Sequence, residues 1–456
     1  MEIRSFAIIL VSVLLILSAG CVNPSPSAGS NAPVTSTHGL TQVPVPAATP
    51  VLNASHTPEE LVAFVSEAAV YTQKVGKSAA LREFGDRNGS FSRGELYIWA
   101  YDFNTTNLAA PYHPEFLGHN ESNKTDADGV RLIAAMQDAA RNGSGFVAYR
   151  YLDPITGEII PKLAYAKKID DSWWIAASIP GTDFDIPGES PELVREILAA
   201  KVSHAVNFAR NSGQPRALAE FNNASSPFAS EGRYIFAFDM NGTTIAMPFS
   251  KESLLKNERN LTDTNGVAMG EPELRLTGQG GGYFYYVYPN PDSNKPEFKV
   301  AYVAPVDSTW GVGAGKYLPE VSAVFPQEQR DRLVTRVGEA AAYVKKNGRD
   351  AAVREFNDPN GSFSKPDMFV FAFDRNGTLL ANPYLTGMVG ANRLSDRDPY
   401  GEYPVQSILQ NAENGGGFLY YFIADPANNY QVRLKLGYSQ LAGDDLVVGA
   451  GIFTQK

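Results

Sequence analysis

With one cysteine in 456 residues, the chain can build neither an internal disulfide nor a thiolate metal cluster. Histidine is nearly as scarce, with five in all and none after His204. No Ser/His/Asp or Cys/His set recurs along the chain, which argues against a repeated catalytic role. The charge balance is the reverse of what nucleic acid requires. Net charge is −10, the pI is near 5.2, and no Lys/Arg cluster forms a phosphate-binding stripe. Beyond residue 17 no apolar stretch approaches the ~18 residues of a membrane-spanning helix. Hydrophobic content of 44% and charged content of 19% are ordinary for globular domains, and the length suits several of them.

What is present is one pattern, three times over. Ala80-Leu81-Arg82-Glu83-Phe84 leads through Asn88-Gly89-Ser90-Phe91 into Leu96-Tyr97-Ile98-Trp99-Ala100-Tyr101-Asp102. Ala217-Leu218-Ala219-Glu220-Phe221 leads through Pro227-Phe228 into Tyr234-Ile235-Phe236-Ala237-Phe238-Asp239. Ala352-Val353-Arg354-Glu355-Phe356 leads through Asn360-Gly361-Ser362-Phe363 into Phe369-Val370-Phe371-Ala372-Phe373-Asp374. Phe84, Phe221 and Phe356 stand 137 and 135 residues apart. That period is too long for a solenoid and fits whole domains of roughly 100–150 residues. The boundaries read as 57–185, 190–320 and 326–456.

Ahead of the repeats, Phe6–Leu17 is an apolar run too short to favour a span, followed by Ser18-Ala19-Gly20-Cys21. These residues resemble the lipobox of prokaryotic lipoproteins, with Ser18 a departure from the usual Leu. The resemblance implies that 1–21 is a lipoprotein-type signal peptide and Cys21 the lipidated residue. An uncleaved anchor helix is the alternative, and either places the repeats outside the cytoplasm. Residues 22–56, rich in Pro, Ser and Thr, read as a disordered linker.

Each repeat predicts an α+β layout. Thr57-Pro58-Glu59-Glu60 carries the signature of a capping box, and helices are expected to open near Thr57, Ser190 and Pro326. Asp239-Met240-Asn241-Gly242-Thr243 and Asp374-Arg375-Asn376-Gly377-Thr378 predict strand hairpins. A calcium loop fails there, because Ser250 or Leu385 occupies the twelfth position. A short helix, a glycine elbow (Gly280–Gly282, Gly415–Gly417) and three aromatic strands complete the unit. The elbow follows a helix and precedes a strand, which reads as a C-cap rather than a phosphate cradle.

Lys162-Leu163-Ala164-Tyr165, Lys299-Val300-Ala301-Tyr302 and Lys435-Leu436-Gly437-Tyr438 each precede a closing strand, Trp310-Gly311-Val312-Gly313-Ala314-Gly315 in the second copy. Taken in order with the hairpin and elbow, these elements resemble the Cache family in its single-Cache form, from residue 57 to 456. The resemblance implies three PAS-like domains, each a long N-terminal helix and a roughly five-stranded antiparallel sheet holding a small-molecule pocket. It also implies a receptor role and small carboxylate or amino-acid ligands. Where the family has His before Pro, this chain has Ala110, Met247 and Asn382.

Candidate ligand-binding residues are the matched sets Tyr149, Lys162, Tyr165; Tyr286, Lys299, Tyr302; and Tyr421, Lys435, Tyr438. A carboxylate needs a cation and hydroxyl donors in a mostly apolar cleft. Against this, Lys and the second Tyr are three apart and face opposite sides of a regular strand. Trp99, Phe236 and Phe371 read as core, with an apolar pocket wall as the alternative. His113 and His119, with Glu115 and Glu121, read as solvated loop residues rather than metal ligands. The chain is therefore expected to be a membrane-anchored, extracytoplasmic sensor acting through a separate membrane receptor or transporter. No cofactor, metal, enzymatic activity or nucleic-acid partner is expected. A structural or adhesive surface protein is the alternative.

Overall fold

The expected helix starts are observed. In the computed structural model, which describes residues 56–152, 157–181, 189–229 and 233–454, the first repeat opens with α1 (Pro58–Val75). The signal segment, Cys21 and nearly all of the linker lie outside the described residues. Thr57 Oγ1 accepts the Glu60 amide at 3.2 Å while Glu60 returns a carboxylate oxygen to the Thr57 amide at 3.1 Å, closing the capping box. Ser190 caps α4 (Pro191–Ser212) in the second repeat, and α7 (Gln327–Asn347) opens the third. Each long helix then breaks at a glycine, Gly76, Gly213 or Gly348, with φ near +80°, where a side chain would be strained. The second helices follow at once: α2 (Lys77–Phe84), α5 (Gln214–Phe221) and α8 (Arg349–Asn357).

Three sheets of one topology follow. Repeat one contains β1 (Trp99–Asp102), β2 (Asn107–Ala109), β3 (Ser144–Leu152), β4 (Ile159–Asp170) and β5 (Trp173–Pro180). Repeat two contains β6 (Ile235–Asp239), β7 (Thr244–Ala246), β8 (Gly282–Pro289), β9 (Pro296–Pro305) and β10 (Trp310–Tyr317). Repeat three contains β11 (Met368–Asp374), β12 (Leu379–Ala381), β13 (Gly417–Asp425), β14 (Gln431–Ala442) and β15 (Leu446–Phe453). The spatial order in the first sheet is β2-β1-β5-β4-β3, all antiparallel, and the other two sheets repeat it. A short helix precedes the third strand of each: α3 (Leu132–Arg141), α6 (Gly270–Gly278) and α9 (Pro404–Glu413). Pro272 sits in the first turn of α6, where its missing N–H is harmless.

Strand alternation gives each sheet two buried faces. In repeat one, Ala100, Phe146, Leu163, Tyr165, Trp173 and Ile175 face α1. Tyr101, Val147, Tyr149, Ala164, Trp174 and Ala176 face α3. The long helix thus covers one side, and the short helix roofs the other.

The helix α4 serves two sheets. Leu193, Ile197 and Ala200 join the core of repeat one, whereas Val194, Leu198, Val202 and Ala205 join that of repeat two. Such a helix is apolar on two faces because it is buried on both. Residues 57–185 expressed alone are therefore expected to melt below residues 57–212. Burial of Leu193 and Ile197 contributes about 1.5–3 kcal/mol each. Equal melting temperatures in calorimetry would show that the boundary at 185 leaves repeat one complete.

Candidate functional site

Under each short helix lies a cavity, and the three are lined by equivalent positions. Repeat three has the largest, about 110 Å³, repeat one about 80 Å³, and repeat two about 30 Å³. Their walls include Trp99, Phe236 and Phe371. Phe236 and Phe371 belong to the core, with Trp99 packed against it, and all three form cavity wall as well. Ala110, Met247 and Asn382, the residues before the matched prolines, line the cavities as well.

The structure divides each expected Tyr–Lys–Tyr set. Tyr149 stands directly across from Lys162, Tyr286 from Lys299 and Tyr421 from Lys435, so each pair shares a face and enters its cavity. Tyr165, Tyr302 and Tyr438 fall on the opposite face and line none of the three. The strands run without a bulge at these positions, so a separation of three residues reverses the side. Tyr165 instead donates to Ser144 Oγ at 2.8 Å and packs on Phe146. The Tyr302 and Tyr438 hydroxyls lie 3.0 and 2.7 Å from where a Cβ would stand on Gly281 and Gly416. Both glycines have positive φ, so the second tyrosines cover the glycine elbow.

Two lysines are almost wholly buried, each about 1% exposed. Their stems lie over glycines of the closing strand. A Cβ on Gly315 would come within 2.4 Å of Lys299 Cε, and one on Gly451 within 2.5 Å of Lys435 Cε. Ser178 holds the matching place in repeat one. There the floor is raised, Lys162 is only half-buried, and the Tyr149 hydroxyl donates to Ser178 Oγ at 2.9 Å. Ala176 likewise replaces Gly313 and Gly449, glycines whose Cβ would strike Phe236 and Phe371, and Trp99 is correspondingly half-buried.

The environments of the two buried ammonium groups differ. Lys299 Nζ donates to Tyr234 Oη at 3.0 Å and Tyr317 Oη at 3.4 Å. Glu273 and Glu258 line the same cavity. Burial pushes Lys299 down to about 7 and Glu273 up to about 8; each charge pulls the other back. Lys435 Nζ lies 3.9 Å above the Phe369 ring and 4.8 Å from that of Phe453. It has no hydrogen-bond acceptor among the described residues. Burial lowers it to about 7, with Asp425 opposing.

Glu273 is the residue that sets repeat two apart. It lies ten positions beyond Asp263; Met136 and Ile408 lie ten beyond the matching Asp126 and Asp398, and all three line their cavities. Each of these aspartates organises its cavity lip. Asp126 Oδ1 accepts the amides of Asp128 and Val130, Asp263 Oδ1 those of Asn265 and Val267, and Asp398 Oδ1 those of Tyr400 and Glu402. The other oxygen accepts an amide from the edge strand, Arg150, Val287 or Phe422.

Around Asp126, His204 Nε2 approaches to 3.0 Å, and Asp128 pairs with Arg150 at 2.8 Å. Burial raises Asp126, but the hydrogen bond and charge of His204 bring it below the usual carboxylate value. His113, expected to be a solvated loop residue, lines the cavity of repeat one, stacks on Phe116 and contacts Glu115 at 3.0 Å. His119 stays exposed.

Comparisons with known proteins agree with this anatomy. A Cache domain model matches residues 87–322, more than half of the chain, and runs across repeats one and two together. The model Single Cache domain 2 matches 341–455. The sensor histidine kinase MctS of Rhizobium johnstonii is 32% identical over 82 residues, 18% of each chain. The chain thus spans under a fifth of that relative. A methyl-accepting chemotaxis protein from Vibrio parahaemolyticus is 24% identical, with a TM-score of 0.25 over 27% of this chain and 86% of that one. The ligand-binding domain of the Pseudomonas fluorescens chemoreceptor CtaA, solved with L-serine, is 12% identical, with a TM-score of 0.19 over 57% and 88%. By the extent of the first match, the chain belongs to the Cache family of sensory, ligand-binding domains.

Proposed function

We propose that this protein is a membrane-anchored, extracytoplasmic sensor of short-chain carboxylates, with the cavity of repeat three as its principal site. The anchor would be the lipidated Cys21, and occupancy would be passed to a separate membrane receptor or transporter. The single observation that carries the ligand class is Lys435. A buried ammonium group set against the Phe369 and Phe453 rings without an acceptor is costly, because rings replace little of its lost hydration. A carboxylate would supply the missing charge and acceptor together. Phe371, Phe373, Leu379, Val405 and Ile408 suit a short aliphatic tail. An amino group would fare worse, since Asp398 is occupied by four donors and Asp396 by Arg393. Small carboxylates are therefore favoured over amino acids here.

Repeat two reads differently. Its cavity already contains a carboxylate, Glu273, opposite the lysine, and has room for about one water. The charge of Glu273 already acts on Lys299 from within the cavity, so an added anion gains less there.

Thermal shift and calorimetry with acetate and propionate test this directly. At a hundred times its dissociation constant a ligand stabilises by about 2.7 kcal/mol. Lys435→Met is expected to abolish the shift while leaving the fold as stable or more so, because an apolar isostere of a buried charge is tolerated. Lys299→Met should leave carboxylate binding intact. If wild type gives no shift with either acid, or Lys435→Met binds as well as wild type, the reading fails.

Binding is also expected to weaken with rising pH. The carboxylate pairs with the ammonium form of Lys435, so above about pH 7 affinity should fall toward tenfold per pH unit. Stability of the empty protein should move the other way. Between about 7 and the ordinary lysine value the unfolded chain holds the proton and the folded cavity does not, so stability rises with pH there. A flat affinity profile from pH 6 to 9 would remove Lys435 from the site.

Glu273→Met, which gives repeat two the residue of repeat one, is expected to unmask Lys299 and create a second carboxylate site. Titration should then show two equivalents bound where the parent shows one fewer. An unchanged stoichiometry would mean that Glu273 is not what closes this cavity.

A further inference from the structure

Repeats two and three grip each other through equivalent residues. On β8, Tyr286 enters the cavity of repeat two, so its neighbour Tyr285 faces the other way. There its hydroxyl donates to Asp398 Oδ1 of repeat three at 2.6 Å. On β13, Tyr421 enters the cavity of repeat three, and its neighbour Tyr420 donates to Asp263 Oδ2 of repeat two at 2.9 Å. Tyr285 and Tyr420 are matching positions, and so are Asp263 and Asp398. The exchange is a two-fold pairing built inside one chain.

The backbone obeys the same reciprocity. A Cβ on Gly401 would stand 2.8 Å from the Tyr283 ring, and one on Gly266 would stand 3.2 Å from the Phe418 ring. Each lip glycine lies under an aromatic of the opposite repeat. Val267 also bridges Phe418 in parallel. Between the lips, Tyr285, Phe298, Tyr420 and Phe422 form a continuous aromatic cluster, with centroids 5.5–5.9 Å apart.

Both aspartates hold cavity lips. Asp396, Arg397, Asp398 and Pro404 line the cavity of repeat three. Leu261 and Met269 line that of repeat two and are joined by a hydrogen bond of 2.9 Å on either side of Asp263. Opening one lip moves its aspartate. That loosens a tyrosine whose strand carries the other cavity's wall.

We propose that the cavities of repeats two and three form a coupled pair, in which ordering one lip orders the other through the Tyr285–Asp398 and Tyr420–Asp263 bonds. A ligand in repeat three then alters the lip of repeat two, although repeat two need not bind the same ligand. This rests on the sensor reading for its purpose. Its test uses no ligand, so its failure is separable from a failed binding screen.

The test is hydrogen–deuterium exchange on the full chain with Tyr285→Phe and Tyr420→Phe. Tyr285→Phe removes one hydrogen bond and Tyr420→Phe two, since the Tyr420 hydroxyl also accepts from Asn265 Nδ2; each lost bond is expected to raise local opening about fivefold. Tyr285→Phe should speed exchange at Tyr400, Glu402 and Phe422, and also at Asn265, Val267 and Val287, whose own aspartate keeps its tyrosine. Tyr420→Phe should give the same two-lip response. Asp128 and Val130, in the lip of repeat one, should not change. Acceleration confined to the lip that lost its bond overturns the coupling. So does no change at either lip, or equal acceleration at all three. Should a variant fail to fold, Phe418→Leu lightens the ring over Gly266 while keeping both hydroxyls; acceleration at Asn265, Val267 and Val287 with none at Tyr400, Glu402 and Phe422 then overturns the coupling, as does no change at either lip.

Discussion

One carboxylate per repeat governs the rest of the molecule. Asp126, Asp263 and Asp398 each gather two lip amides and one edge-strand amide. In every case a side chain from a neighbouring repeat completes the set, His204, Tyr420 or Tyr285. A buried carboxylate needs several donors to remain in place. The fold meets that need by drawing on the next repeat, so the cavity lips and the joints between repeats are made of the same bonds. Burial raises Asp263, and raises Asp398 to about 6, as expected where most of those donors are neutral.

The cavities show how small substitutions diversify one scaffold. Glycine at 315 and 451 lets a lysine stem lie flat on the closing strand and carries its ammonium inward. Serine at 178 fills that space, and Lys162 is only half-buried. Glutamate at 273 stands where the other repeats have Met136 and Ile408, and it faces the lysine from the short helix. Three copies with the same backbone therefore present a lysine on a raised floor, a lysine sharing its cavity with a glutamate, and a lysine without an acceptor among the described residues.

Much of this was legible in the sequence, for identifiable reasons. Helix starts were written in caps, hairpins in Asn-Gly pairs, and the repeat itself in Phe84, Phe221 and Phe356. Parity within a strand already separated Lys162 from Tyr165, because side chains alternate. The pairing of Lys435 with Tyr421 was not visible, since it depends on the register between two strands. Neither were the tyrosine–aspartate exchanges, whose partners lie more than a hundred residues apart. The glycine breaks after α1, α4 and α7 had a signal, a lone glycine inside a helical pattern, that ordinary tolerance of glycine masks. His113 keeps a solvated side chain in its loop, as expected, and that loop also folds back over a cavity mouth.

Glu273 also bears on why the cavity of repeat two is the smallest of the three. Its carboxyl stands in the wall of that cavity together with Lys299, which donates to Tyr234 and Tyr317. Repeat two is also the member that contacts both neighbours, through α4 on one side and Tyr285 and Tyr420 on the other. A central element with little room of its own has less freedom to lose when a neighbour becomes ordered. It can then carry ordering from one lip to the other at small entropic cost, while the half-buried lysine of repeat one and the buried ammonium of repeat three respond to what enters.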